Sequence, residues 1–154
     1  MVGTLNGELK ELFIKRKNLC YAFTKINGRG IYTMYEKIKN DIAQEYYVKN
    51  YPNDGQRFVA WYLRNIHNLD TFATKSCITD GAGDKQIDAV YIDDQSMTIY
   101  IIQGKFYKGQ TIDAEPLREV LSSWIQIKNL YRMQEAANEK LKVKINEIAT
   151  ALDK

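Results

Sequence analysis

Apolar residues recur at helical spacing twice in the first third of the chain. Leu5, Leu9, Leu12 and Phe13 predict a helix over about 5–17, and Ile31, Met34, Ile38 and Ile42 predict another over about 31–50. Asn27-Gly28-Arg29-Gly30 separates the two as a turn. The cluster Asn50-Tyr51-Pro52-Asn53-Asp54-Gly55 closes the second, because proline and the residue before it resist helical continuation, while Asn53 or Asp54 can cap the next helix. That third helix is predicted over about 55–67, with Phe58, Trp61, Tyr62 and Ile66 as its main apolar stripe and Gln56, Ala60, Leu63 and His67 beside it. From Thr71 the period shortens. Phe72 to Thr79 is β-prone, Thr79 to Asp84 is turn chemistry, and Ile87 to Asp93 and Met97 to Phe106 read as the strands of one hairpin. Asp113 and Pro116 then open a helix with Leu117, Val120, Leu121 and Trp124 on one face, and Glu135 to Leu152 reads as a last helix, although Leu141 to Ile145 alternates like a strand.

A hairpin turn centred on Gln95-Ser96 fixes a register in which Ile92 faces Ile99, Val90 faces Ile101 and Asp88 faces Gln103. The two-residue period carries Lys105 onto the same face as Gln103. That face is aliphatic at the turn end and polar at the other, where Asp88, Gln103 and Lys105 converge. An acid, an amide and an ammonium flanked by apolar strand residues are costly to bury unless they serve one another. The trio suits phosphodiester hydrolysis. Asp88 and the Gln103 carbonyl, with the Gly104 backbone carbonyl, offer the hard oxygens that magnesium prefers, and Lys105 can neutralise charge that develops at phosphorus. Asp80 and Asp84 read first as turn residues bonding nearby N–H groups and second as contacts for metal or substrate, with Asp84 the further candidate carried forward for the metal.

Composition narrows the alternatives. The 154 residues are 45% hydrophobic and 27% charged, which suits a single domain over 1–154. The longest aliphatic-aromatic run, Ile99 to Ile102, falls far short of the roughly 20 residues a bilayer span needs, and no apolar stretch follows a basic start, so neither a membrane partner nor a secretory signal is expected. Two cysteines and one histidine, without CxxC or HxxxH spacing, argue against structural zinc and for a reducing cytoplasm. Cys77 is expected to be buried and inert, and His67 to be a satisfied helix-end residue. Residues 1–77 hold twelve Lys and Arg against seven Asp and Glu, a local +5 within an overall +3. Lys15, Arg16 and Lys17, with Lys108 beyond the hairpin, are the candidate contacts for a nucleic-acid backbone.

The run Asp80-Gly81-Ala82-Gly83-Asp84-Lys85-Gln86-Ile87-Asp88-Ala89-Val90, followed by Ile101-Ile102-Gln103-Gly104-Lys105, resembles the core motif of PD-(D/E)XK restriction-endonuclease-like nucleases. It is similar to the Mrr-like variant with Gln in place of the second acid, and most similar to the N-terminal nuclease region of abortive-infection phage-resistance (AIPR-type) proteins. The resemblance is specific over about 54–107. It implies an α/β fold: a three-layer core whose mixed central sheet carries the site on a β-hairpin, flanked by helices and preceded by extra N-terminal helices. It also implies magnesium- or manganese-dependent cleavage of DNA, with Asp88 and Gln103 as metal ligands and Lys105 as the catalytic lysine. The chain departs from the pattern where such nucleases place a Glu on the helix before the sheet. Gln56 stands there, and Glu45 is the substitute acid.

Proteins with this motif are longer, so a C-terminal effector or specificity region absent from this chain is expected, and cutting both strands would favour a homodimer. Two other readings compete. One is a nuclease fold that has lost cleavage and only holds nucleic acid, and the other is an interaction module that docks a partner through the last helix.

Overall fold

The structure, a computed structural model, describes residues 8–13, 34–106, 118, 122 and 129–153, with side chains from 34 onward. Its hairpin has the register that the alternating sequence predicts. Strand β2, Ala89–Asp93, pairs antiparallel with β3, Thr98–Gln103, so that Val90 faces Ile101 and Ile92 faces Ile99. The connection is held by Asp93, whose carboxylate accepts from the N–H and the hydroxyl of Ser96 at 3.4 and 2.7 Å and from the Gln95 N–H at 3.1 Å. Strand β1, Glu8–Phe13, runs parallel to β3 along its other edge, from Glu8 opposite Thr98 to Phe13 opposite Gln103, giving the order β1-β3-β2. The helix expected over 5–17 is therefore a strand over Glu8–Phe13. Leu9, Leu12 and Phe13 recur at i, i+3 and i+4, the helical period, and the strand forms against that pattern. Pairing with β3 satisfies a row of edge backbone groups that a helix would leave open.

Among the described residues, four helices precede the hairpin. The single helix expected over 31–50 is two, α1 at Met34–Ile42 and α2 at Glu45–Asn50, because Gln44 is extended (φ −65°, ψ 150°). Helix α3, Asp54–Asn65, begins where the sequence predicts: Asn53 accepts from the Gln56 N–H at 2.9 Å. The β-prone stretch from Phe72 is instead α4, Thr71–Cys77. Local capping overrides strand propensity there: Asp70 accepts from the Ala73 N–H at 2.8 Å, and the Thr74 hydroxyl donates to the Asp70 carbonyl at 2.6 Å. Thr74 and Cys77 face inward at i, i+3 spacing while Phe72 is 84% exposed, a pattern a strand could not produce. Extended structure resumes only at Ile78, which bridges Ala89.

After the hairpin come α5, Leu130–Glu135, and α6, Glu139–Leu152. The strand-like alternation of Leu141 to Ile145 is helical, because Asn138 caps α6 and Leu141, Ile145 and Ile148 form one buried stripe. The helix expected from Asp113 and Pro116 lies outside the described residues, apart from Arg118 and Ser122, which are helical. Among the described residues no helix is long and apolar enough to cross a membrane.

Alternation along the hairpin separates two cores. Ala89 and Ile102 join Phe58, Val59, Leu63 and residues of α1, α2 and α4 on one face; Val90, Ile99 and Ile101 join Leu141, Ile145 and Ile148 on the other. The fold is thus mixed α/β with helices against both faces of the hairpin. Just past β3, α3 presses so close that a Cβ on Gly104 would sit 2.5 Å from Val59 Cγ2 and 3.4 Å from Phe58 Cδ1. We expect Gly104→Ala to lose about 2 kcal/mol of stability through overpacking, and Val59→Ala to restore part of that loss in the double variant. Urea denaturation of the four proteins checks this, and strictly additive losses would contradict it.

Candidate metal site at the open end of the hairpin

The segment leading into β2 folds back on itself through its own backbone. The Thr79 and Asp80 N–H groups both donate to the Asp88 carbonyl, at 2.9 and 3.2 Å, and the buried Thr79 hydroxyl donates to the Ile87 carbonyl at 2.5 Å. Within the loop, Asp84 accepts from the Gln86 N–H at 2.8 Å and from the Gly81 N–H at 3.1 Å, as its turn chemistry predicts. The path needs left-handed backbone at four places: Gly81 (φ 144°) and Gly83 (φ 82°), which tolerate it, and Lys85 (φ 54°) and Gln86 (φ 64°), for which it is costly. The result is a group of three carboxylates. Oxygens of Asp80, Asp84 and Asp88 lie within 4.8 Å of one another, a set that could hold a metal ion.

Asp88 is the one tied to the hairpin itself. Its Oδ2 accepts from the Gly104 N–H at 2.6 Å, so the start of one strand is tied to the exit of the other. Burial pushes its carboxyl up to about 6; the Gly104 N–H and the nearby Lys105 charge oppose the rise, and Asp80 and Asp84 add to it. Three acids held this close repel one another, and a divalent cation relieves that repulsion.

The sequence-predicted residues divide clearly. Asp88, Gln103, Gly104 and Lys105 meet at the open end of the hairpin: Gln103 is 8% exposed at the end of β3, Gly104 is buried, and Lys105 is exposed but close enough to act on Asp88. At Gly104 the contact that the structure shows is made by the N–H rather than the carbonyl expected to face a metal. Gln56 is half-buried in the first turn of α3, and Glu45 is exposed at the start of α2, outside the group of three aspartates. Lys15, Arg16, Lys17 and Lys108 lie outside the described residues.

No family model, curated protein or solved structure matches this chain. The functional reading of the site therefore rests on its own geometry. Asp80 joins Asp84 and Asp88 in this group, the three recurring every four residues in a glycine-containing turn. His67, expected to be structural, has Nε2 3.2 Å from the Tyr62 hydroxyl and its ring against Tyr91 and Tyr100, and burial holds it below the usual imidazole range. Cys77 is buried, and burial pushes its thiol up, away from the reactive thiolate.

The raised Asp88 carboxyl has a definite sign in stability. A folded value near 6 above an ordinary 3.8 means that the native state favours the protonated acid, so the Asp88 contribution is complete below about pH 4 and is lost as pH rises through 6. Asp88→Asn keeps an oxygen for the Gly104 N–H and removes the titration. Its stability relative to wild type should therefore rise between pH 4 and 6, by up to about 3 kcal/mol, and then level off. Urea melts at pH 4, 5, 6 and 7 measure this, and a difference constant with pH would contradict it.

Proposed function

We propose that this domain is a magnesium- or manganese-dependent endonuclease that hydrolyses phosphodiester bonds in DNA. The observation that carries this reading is the short Gly104 N–H to Asp88 hydrogen bond, which sets an acid held up near pH 6 beside two further carboxylates and the Lys105 ammonium. Asp88 supplies an anionic oxygen fixed to the hairpin, and Asp80 and Asp84 bring the negative charge that Gln in place of a second acid does not. A divalent cation bound there would polarise a phosphate oxygen and acidify a water. Lys105, exposed at the strand exit, is placed to neutralise charge on the phosphate as it is attacked. The fold class and helices on both hairpin faces agree with the restriction-endonuclease-like arrangement that the Gln103-Gly104-Lys105 motif resembles; a role in restriction or phage defence comes from that resemblance alone.

A second reading is a nuclease fold that binds nucleic acid without cutting it, favoured by Gln56 standing where the resemblance expects Glu. Supercoiled plasmid separates the two. We expect nicking that needs magnesium or manganese, stops with chelator, and falls at least about 100-fold in both Asp88→Ala and Lys105→Ala while circular dichroism stays unchanged. Binding without nicking by wild type would establish the second reading, and undiminished nicking by either variant would remove that residue from the site.

A further inference from the structure

Asn138 sits 50 residues beyond Asp88 in sequence, yet it makes two hydrogen bonds to the aspartate loop. Its side-chain Nδ2 donates to the Thr79 carbonyl at 2.9 Å and its backbone N–H donates to the Gly83 carbonyl at 2.9 Å. Thr79 and Gly83 are the residues immediately before Asp80 and Asp84. The remaining side-chain atom, Oδ1, accepts from the Leu141 N–H at 2.9 Å and caps α6. The fit is close: a Cβ on Gly83 would lie 3.3 Å from the Asn138 nitrogen and 3.6 Å from the Ala136 carbonyl. The third aspartate is held separately, through its carbonyl by Thr79 and Asp80 and through its carboxylate by Gly104.

We infer that Asn138 is a positioning residue for the cation site: it clamps the loop at the two carbonyls preceding Asp80 and Asp84 and so sets those carboxylates against Asp88. This inference rests on the reading of the three aspartates as a cation site. The chemistry is specific to an amide side chain. Ser, Thr and Asp cap helices about as well as Asn, but Asp has no donor and a Ser or Thr hydroxyl is one atom on a shorter arm, whereas the Asn138 amide puts its acceptor and donor on two separate atoms, Oδ1 at the Leu141 N–H and Nδ2 at the Thr79 carbonyl. A residue needed only as a cap could be exchanged for Ser without consequence for the loop. Strain at Lys85 and Gln86 gives the loop a reason to relax once the side-chain bond to Thr79 is lost, with only the backbone bond to Gly83 left.

The test compares Asn138→Ser with Asn129→Ser, which alters the α5 cap, where Asn129 accepts from the Arg132 N–H and makes no bond to the loop. Binding of Mn2+ alone is read by electron paramagnetic resonance of the free ion, and loop order is read by hydrogen exchange at Gly81 and Gln86, both on folded protein. For Asn138→Ser we expect Mn2+ affinity to fall about ten-fold and the two amides to exchange faster, with Asn129→Ser unchanged in both. Should Asn138→Ser not fold, Asn138→Asp replaces it. It keeps the cap acceptor and adds a charge that by itself favours a cation, so weaker binding there supports the clamp. Mn2+ affinity equal to wild type in the folded Asn138 variant overturns the positioning role and leaves the site intact. Absence of Mn2+ binding by wild type overturns the cation site itself, and the positioning role with it.

Discussion

A short hydrogen bond from the Gly104 N–H to the Asp88 carboxylate, beside that from the Asp88 N–H to the Ile102 carbonyl, joins the two ends of the hairpin where α3 packs closely against Gly104. Much else depends on it. It needs residue 104 to lack a side chain, since Val59 occupies that space, and it needs the register that brings Asp88 level with the exit of β3. Burial there disfavours the charge on the carboxylate and makes it receptive to a cation or a proton, while the hydrogen bond itself favours the ionised form. The loop carrying Asp80 and Asp84 returns to the same residue, through the Asp88 carbonyl, so main chain and side chain of Asp88 together organise the end of the sheet.

How much of this could be read from the sequence depended on how local its cause was. The hairpin register was legible because strict alternation in Val90, Ile92, Ile99 and Ile101 and a polar turn leave one pairing that buries both faces. The start of α3 was legible because Asn53 follows Pro52 and caps within three residues. Strand β1 was not, because its partner lies about 90 residues away and nothing within Glu8–Phe13 announces β3. Helix α4 was misread for the opposite reason: its residues favour strands, and the deciding groups are the Asp70 cap and the Thr74 hydroxyl, whose local bonds outweigh that preference. At the site, Asp88 and its proximity to Gly104 and Lys105 came from register alone. Asp80 and Asn138 acquire their places only when the loop folds back beneath the start of α6.

The hairpin serves as a common wall. Its two faces bury separate cores, one built mainly from α1 to α4 and the other from α5 and α6, and the aspartate loop leaves the wall between them. Val59 on the first side bears on Gly104, and Asn138 on the second bears on the Thr79 and Gly83 carbonyls of the loop. A site supported from two cores is held more firmly than one carried by a loop alone, which suits chemistry that depends on fixed charges rather than on closure.

The most direct measurement is a crystal of the wild-type protein soaked in Mn2+ and examined by anomalous scattering. We expect a manganese peak within coordination distance of the Asp88 carboxylate, on the side of Asp80 and Asp84, that disappears in Asp88→Asn crystals. A soaked crystal with no peak at Asp88, or with manganese bound only elsewhere on the molecule, would contradict it.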